Sequence, residues 1–274
     1  MSCRYKPKKI NGGAKAGVTT NVIDLASGLS VTDSRWSNQK AEFLLFIDDA
    51  GFEKIVSYEG FAFTFAGNGY LIQVWKNWLA SNPPVLFPLP PVEMILENGQ
   101  ALSMAVCIVQ MNVKNLIFHR NSAIVYDSAL FAGTGATQAR AAWEESHDAK
   151  LAVQSAISID NLSGGCIKYL EFSTGQHNLN ETATIGDVGR LLAERGTVMY
   201  HTKQQTSGTV VPVRDAAAND PHVREAVEQL ASGTISANAP CNSMYNAWAP
   251  EELKQLEEAM RTVQRVRDKA RETG

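Results

Sequence analysis

No apolar run in the sequence approaches the roughly twenty residues that a membrane-spanning helix requires. The N-terminal segment MSCRYKPKKINGGAKAG has no apolar core, so it does not read as a secretory signal. Cys3, Cys107, Cys166 and Cys241 form no C-x-x-C pair. The histidines at 119, 147, 177, 201 and 222 do not stand at metal-ligand spacing from one another. These absences leave a zinc site without support, and the cysteines read as free thiols in a reducing compartment. There is no Walker sequence and no G-x-G-x-x-G after a strand, so nucleotide-dependent chemistry has no motif behind it. Neither sign of charge dominates: the net charge is -3, far from the basic field that nucleic acid binding uses. The expectations are no cofactor, no metal, no membrane and no nucleic-acid partner. The expected location is the cytoplasm, or a complex assembled there.

What is present is a globular composition, with 45% hydrophobic and 19% charged residues in a chain of 274. Residues 1–18 stand apart. Arg4, Lys6, Lys8, Lys9 and Lys15 meet no acidic residue there, so the segment reads as a basic leader or arm. TTNVIDL then alternates as a half-buried strand, and LSVTDSR follows it across an Ala26-Ser27-Gly28 turn as the second strand of a hairpin. AEFLLFID, EKIVSYEG and FAFTFAG read as further strands. YLIQVWKNWLA has helical spacing and stops at Asn82-Pro83-Pro84. VLFPLPP is a loop, and VEMILEN is expected to be a short helix. LSMAVCIVQM, VKNLIFHR, SAIVYDSALFA and CIKYLEF are expected strands, with helices ATQARAAWEES and HDAKLAVQSAIS before the last. IGDVGRLLAER and PHVREAVEQLAS are short helices, and TVVPV is a candidate strand. PEELKQLEEAMRTVQRVRDKARE is a helix with acidic residues leading and basic residues closing, which complements its dipole. Leu253, Leu256, Met260 and Val263 mark its apolar face, either docked on its own domain or joining subunits as a short coiled coil.

The chemistry-bearing residues fall at the ends of these elements. Thr19-Thr20 opens the first strand and Asp33-Ser34-Arg35 ends the second. Lys54-Ile55-Val56 starts a later strand, and Ala66-Gly67 leads into the first long helix. Gly133-Thr134-Gly135 precedes the helical pair. Asp160-Asn161-Leu162-Ser163-Gly164-Gly165 turns into a strand and is the most specific of the set. In this order the motifs resemble the proteasome β-subunit family of N-terminal-nucleophile hydrolases, to which the bacterial HslV peptidase belongs.

The resemblance implies an α/β fold, a four-layer αββα sandwich of the N-terminal-nucleophile hydrolase type with a C-terminal helical extension. It implies a leader or arm at 1–18, a proteasome-β-like core at 19–175, and an extension at 176–274 that completes the core and ends in an amphipathic helix. The implied activity is threonine-type peptide hydrolysis in a ring-forming assembly. A threonine hydroxyl is a poor nucleophile, but its own α-amine can act as base once the threonine is the first residue. Thr19 is then the nucleophile, Lys54 the cation that eases its deprotonation, and Asp33 the partner of Lys54. Thr134, Asp160 and Ser163 would hold the amine. The backbone N–H of Gly67 would be the oxyanion donor, where close backbone approach suits glycine.

Activity in this scheme needs removal of residues 1–18. The junction is Val18-Thr19, with Gly17 one position earlier, whereas the family usually processes after glycine. Thr19 to Asp33 is shorter than the family spacing, and strict registration on Gly28 puts the nucleophile position nearer Val18. The alternative is a non-catalytic structural protein that keeps its leader and ties neighbouring subunits together through residues 1–18 and 250–274.

Overall fold

A computed structural model of the chain describes residues 19–97, 99, 101–160, 162–201 and 210–273. The basic arm expected at 1–18, and Asn161 of the glycine-rich turn, lie outside the described residues. Strands β1 (Thr20–Asp24) and β2 (Leu29–Asp33) form the expected hairpin, with Val22 opposite Val31. Gly28 closes their turn at φ +79°. These strands sit inside a five-stranded sheet, ordered β10 (Ile124–Tyr126), β11 (Ala129–Gly133), β1, β2, β12 (Ile167–Glu171). Every residue of β1 is buried because both faces of this sheet are covered. Val22, Val31 and Phe131 face α2 (Ala136–Ser146) and α3 (Ala149–Ile159), whose Ala139, Ala152 and Ala156 permit close approach. His147 at φ +51° breaks the helical pair, and the Asp148 carboxylate caps α3 by accepting from the N–H groups of Lys150 and Leu151. On the other face, Ile23, Leu130, Ala132 and Leu170 pack on Ile55, Ala62, Cys107 and Val109 of a second sheet.

That second sheet has ten strands. Its path runs β14 (Val210–Pro212), β13 (Thr197–Tyr200), β4 (Phe43–Ile47), β3 (Trp36–Gln39), β15 (Asn238–Ala239), β6 (Phe61–Asn68), β8 (Ala101–Gln110), β7 (Glu93–Ile95). β5 (Ile55–Tyr58) pairs with β6, and β9 (Asn115–His119) pairs with β8. Phe61, Phe63, Phe65, Trp36 and Ile108 of this sheet enter the largest core. That core is shared with α1 (Gly69–Ala80), α4 (Ile185–Arg195), α5 (Val213–Asn219), α6 (Pro221–Ala231) and α7 (Pro250–Thr273). Leu256, Met260 and Val263 of α7 are buried there, so most of the terminal helix's apolar face is spent within the chain, while Leu253 is exposed.

The expected fold class, a four-layer αββα sandwich with a C-terminal helical extension, is corrected by this topology. The described chain is a mostly antiparallel fold of two unequal sheets, with five and ten strands. Its last hundred or so residues are not simply helical, because they add β13, β14 and β15 to the larger sheet. Local periodicity reports which segments are extended but not which sheet edge each one joins. Two local expectations also change. VEMILEN contains strand β7 rather than a helix, because Glu93, Met94 and Ile95 pair with Ser103, Leu102 and Ala101. SAIVYDSALFA is split into β10 and β11 by a turn at Asp127, φ +49°.

Candidate active site

Three strand ends deliver the first cluster. Thr19 immediately precedes β1, Asp33 is the last residue of β2, and Lys54 immediately precedes β5. Lys54 is held in line by its carbonyl, which accepts from Phe65 N at 2.8 Å. The Thr19 hydroxyl donates to Asp33 Oδ1 in a short contact. Lys54 Nζ donates to Thr19 Oγ1 at 2.5 Å and to Asp33 Oδ1 at 2.8 Å. The same carboxylate oxygen accepts from Thr20 N at 2.9 Å. Asp33 Oδ2 accepts from the backbone N–H groups of Arg35 and Gly164, each at 3.2 Å. Thr19 and Asp33 are fully buried and Lys54 is 1% exposed. The hydroxyl that meets the lysine is that of Thr19; Val18 lies outside the described residues.

Burial pushes the Lys54 ammonium below its ordinary range, and the facing Asp33 carboxylate opposes that shift. A buried pair of this kind costs several kcal/mol per ion in desolvation, about what its mutual attraction returns. Its value is positional: it fixes a polar threonine side chain inside an apolar molecule.

The second cluster comes from the turns after β11 and α3. Thr134 Oγ1 donates to Asp160 Oδ2 at 3.2 Å, and Ser163 Oγ donates to the same oxygen at 3.0 Å. Ser163 Oγ also lies 2.7 Å from Thr20 Oγ1. Thr134, Asp160 and Ser163 are thus brought together, with their contact to the N-terminal strand made through the Thr20 hydroxyl. Burial raises the Asp160 carboxyl above its usual range, against the hydrogen bonds from Ser163, Leu162 N and Thr134 that favour the charged form. Gly133 has no room for a side chain, since a Cβ there would strike the Thr19 carbonyl. The turn at 162–165 docks on the end of β2: Ser34 N donates to Gly164 O at 3.1 Å, and Cys166 N donates to Ser34 Oγ at 2.9 Å.

Gly67 lies in β6, paired with Met104 of β8 on one side and Ala239 of β15 on the other. Its φ is +110°, and a Cβ there would lie 2.6 Å from both Met104 Cα and Ser103 O. Only glycine fits such a backbone approach. β6 is tied to the threonine strand through Asn21 Nδ2, which donates to Phe65 O at 3.3 Å. What sequence reading missed is β15 and the polar face of β3 next to it. WSNQ and SANAP carry no strand periodicity, and the small side chains of the second give no pattern to detect.

Among the described residues, no group of three or more His, Cys, Asp or Glu could hold a metal ion. No described helix is long and apolar enough to cross a membrane. No family model matches the chain, and no curated protein matches it. Solved structures with some likeness are Thiobacillus denitrificans BPH in complex with epoxomicin, at 15% identity and a TM-score of 0.39, and Thiobacillus denitrificans BPH, at 15% identity and 0.38. Each match covers 57% of this chain and 99% of the other. At that identity and score the likeness carries no weight for function, which has to be argued from the site.

Proposed function

We propose that the chain is a proteasome-β-like subunit and a threonine-type peptidase that uses Thr19 once residues 1–18 are removed. The observation that carries this reading is the buried meeting of the Thr19 hydroxyl with Lys54 Nζ and Asp33. A structural threonine needs one hydrogen-bond partner; this one has a cation and an anion placed on the same oxygen. Cleavage between Val18 and Thr19 would free the α-amine as base. The amine takes the hydroxyl proton, directly or through a water, as Oγ1 attacks a peptide carbonyl. The carbonyl oxygen becomes an oxyanion facing the N–H of Gly67. Collapse expels the amine half of the peptide with that proton, and water then hydrolyses the threonyl ester. Lys54, neutralised in part by Asp33, steadies negative charge at Oγ1 during attack. Thr134, Asp160 and Ser163 would orient the new amine.

Intact-mass measurement of the purified protein tests this. A species beginning at Thr19 that hydrolyses fluorogenic peptides is expected, and Thr19→Ala should neither process nor hydrolyse. A chain that is only ever full length, with hydrolysis unaffected by Thr19→Ala, would overturn the proposal. Self-association into a ring or larger assembly belongs to the same proposal, as does contact with neighbouring subunits through residues 1–18 and 250–274; native mass spectrometry reads both. A cytoplasmic setting is supported by the free thiols of Cys107 and Cys241, both buried. The second reading, a structural subunit without catalysis, is favoured by one observation: β15 runs beside Gly67, where a substrate would have to approach.

A further inference from the structure

A peptidase must hold its substrate extended, and strand addition to a sheet edge is the simplest way to do so, because the backbone supplies the hydrogen bonds. Two strands of the larger sheet run on from candidate-site residues: β3, which starts shortly after Asp33, and β6, which carries Gly67. They do not pair with each other. β15 stands between them, with Asn238 opposite Ser37 of β3, and Asn238 and Ala239 opposite Asn68 and Gly67 of β6. Without β15 the two edges would face each other across a slot one strand wide, about 9–10 Å between backbones.

The occupant is poorly knit into the sheet. β15 is only two residues long. Side chains do much of the holding. Asn38 Nδ2 donates to Ser236 O at 3.0 Å, and Asn238 Oδ1 accepts from Asn68 Nδ2 and Gly69 N, each at 3.2 Å. The slot also keeps unmet polar groups. Ser37 is 1% exposed and Asn38 is 8% exposed, and Ser37 Oγ and Asn38 Oδ1 have no hydrogen-bond partner among the described residues. Buried polar atoms without partners are costly, on the order of 1–3 kcal/mol each, unless a water or a ligand meets them. The occupant's side chains are small, and Ala237 and Ala239 are fully buried. The Ala237 carbonyl lies so close to Gly69 that a Cβ there would strike it. On either side the segment is anchored, by Leu230 of α6 in the main core and by Trp248 stacked on Phe118.

We infer that Ser236–Pro240 of the chain itself is an internal stand-in for an extended peptide with small side chains, filling the slot between β3 and β6 that the peptidase reading would give to substrate. The chain as described is then closed to substrate, and the strap between α6 and α7 must lift for a peptide to enter. The choice of a peptide as the natural occupant rests on the peptidase reading of Thr19. The groove itself can be tested without catalysis.

The test uses full-length Thr19→Ala protein and a fluorescein-labelled peptide Ile-Ser-Ala-Asn-Ala-Pro, the sequence of residues 235–240. Adding Asn238→Ala, or Asn38→Ala with Asn238→Ala, removes the side-chain bonds that hold the strap. Fluorescence anisotropy should show the peptide binding to the loosened proteins about tenfold tighter or more than to the parent, because the closed population no longer taxes the affinity. No gain in a variant that retains its fold would overturn the inference. A second measurement needs no loosened variant: saturating peptide should accelerate hydrogen exchange at residues 236–240 of the otherwise unaltered chain, and unchanged exchange would count against the groove. The two proposals fail separately. Peptide binding with no processing or hydrolysis at Thr19 leaves the groove and removes the peptidase. Hydrolysis that neither the peptide nor the strap substitutions affect leaves the peptidase and removes the groove.

Discussion

The Thr19 hydroxyl sits between a lysine that donates to it and a carboxylate that accepts from it, with none of the three more than 1% exposed. Such a triad is sensitive to the loss of any member. Asp33→Asn should leave Lys54 buried without its counter-charge and destabilise the fold by about 3–5 kcal/mol, read from urea denaturation midpoints. Lys54→Met should be milder in stability, since the Asp33 carboxylate left behind still accepts from the N–H groups of Thr20, Arg35 and Gly164, yet it should abolish hydrolysis if Thr19 is the nucleophile. The pH response follows from the lowered Lys54 pKa. Between that lowered value and the ordinary 10.5, the unfolded chain carries the proton and the folded chain does not. Stability from this group therefore rises with pH through the window, and denaturation midpoints of the parent should climb relative to Lys54→Met as pH rises across it. Asp160 runs the other way. Its raised folded pKa means that stability from it falls as pH rises from 3.8 upward through the folded value, and Asp160→Asn should flatten that fall.

At the scale of elements, the pieces that matter most are those that came from far along the chain. Helix α7 was readable from its charges and its apolar repeat, and two partners for that face were equally compatible with the sequence. In the structure Met260 is fully buried in the main core, beside Leu256 and Val263. Met260→Ala should cost about 2–5 kcal/mol in chemical denaturation, as removal of a buried side chain does when its cavity cannot collapse. Buried arginines fasten the loops around this helix. Arg120 donates to the carbonyls of Ser243, Asn246 and Ala247, and Arg267 to those of Pro83 and Pro84. Burial pulls the Arg120 guanidinium below its ordinary range, and Glu252 opposes this. No motif announced either role, because a carbonyl partner leaves no trace in side-chain sequence.

For the whole molecule, the larger sheet decides where the domain ends. β13, β14 and β15 come from beyond residue 176, and α4, α5, α6 and α7 line the main core. A chain cut after residue 175 should lose the cover of that core and fail to unfold cooperatively, seen as a flat thermal melt and loss of amide dispersion by NMR. Strands such as β1, β2 and β6 were legible because their residues alternate between two differently packed faces, which keeps a period of two even where both faces are buried. The turns holding Asp33, Thr134, Asp160 and Ser163 were legible because glycines and short polar residues are demanded by turn geometry. β15 was not legible, since it is two residues long, its side chains are small or polar and it pairs with distant strands; β3 was hidden by its polar Ser37, Asn38 and Gln39, and β13 by its shortness, four residues that pair with the distant β4.

The sequence by itself determined the local elements and the order of the chemistry-bearing residues along them. Thr19, Asp33 and Lys54 stand out in the sequence through the resemblance of their ordered motifs to the proteasome β-subunit family, not through any local pattern of their own. Only the tertiary structure decided that the hydroxyl beside Lys54 belongs to Thr19, that Ser163 reaches Thr20, and that a strap from residues 236–240 lies next to Gly67. The physical reason is one of range. Periodicity and turn chemistry act over a few neighbouring residues, whereas sheet order and buried charge pairing are set by the packing of the whole chain at once.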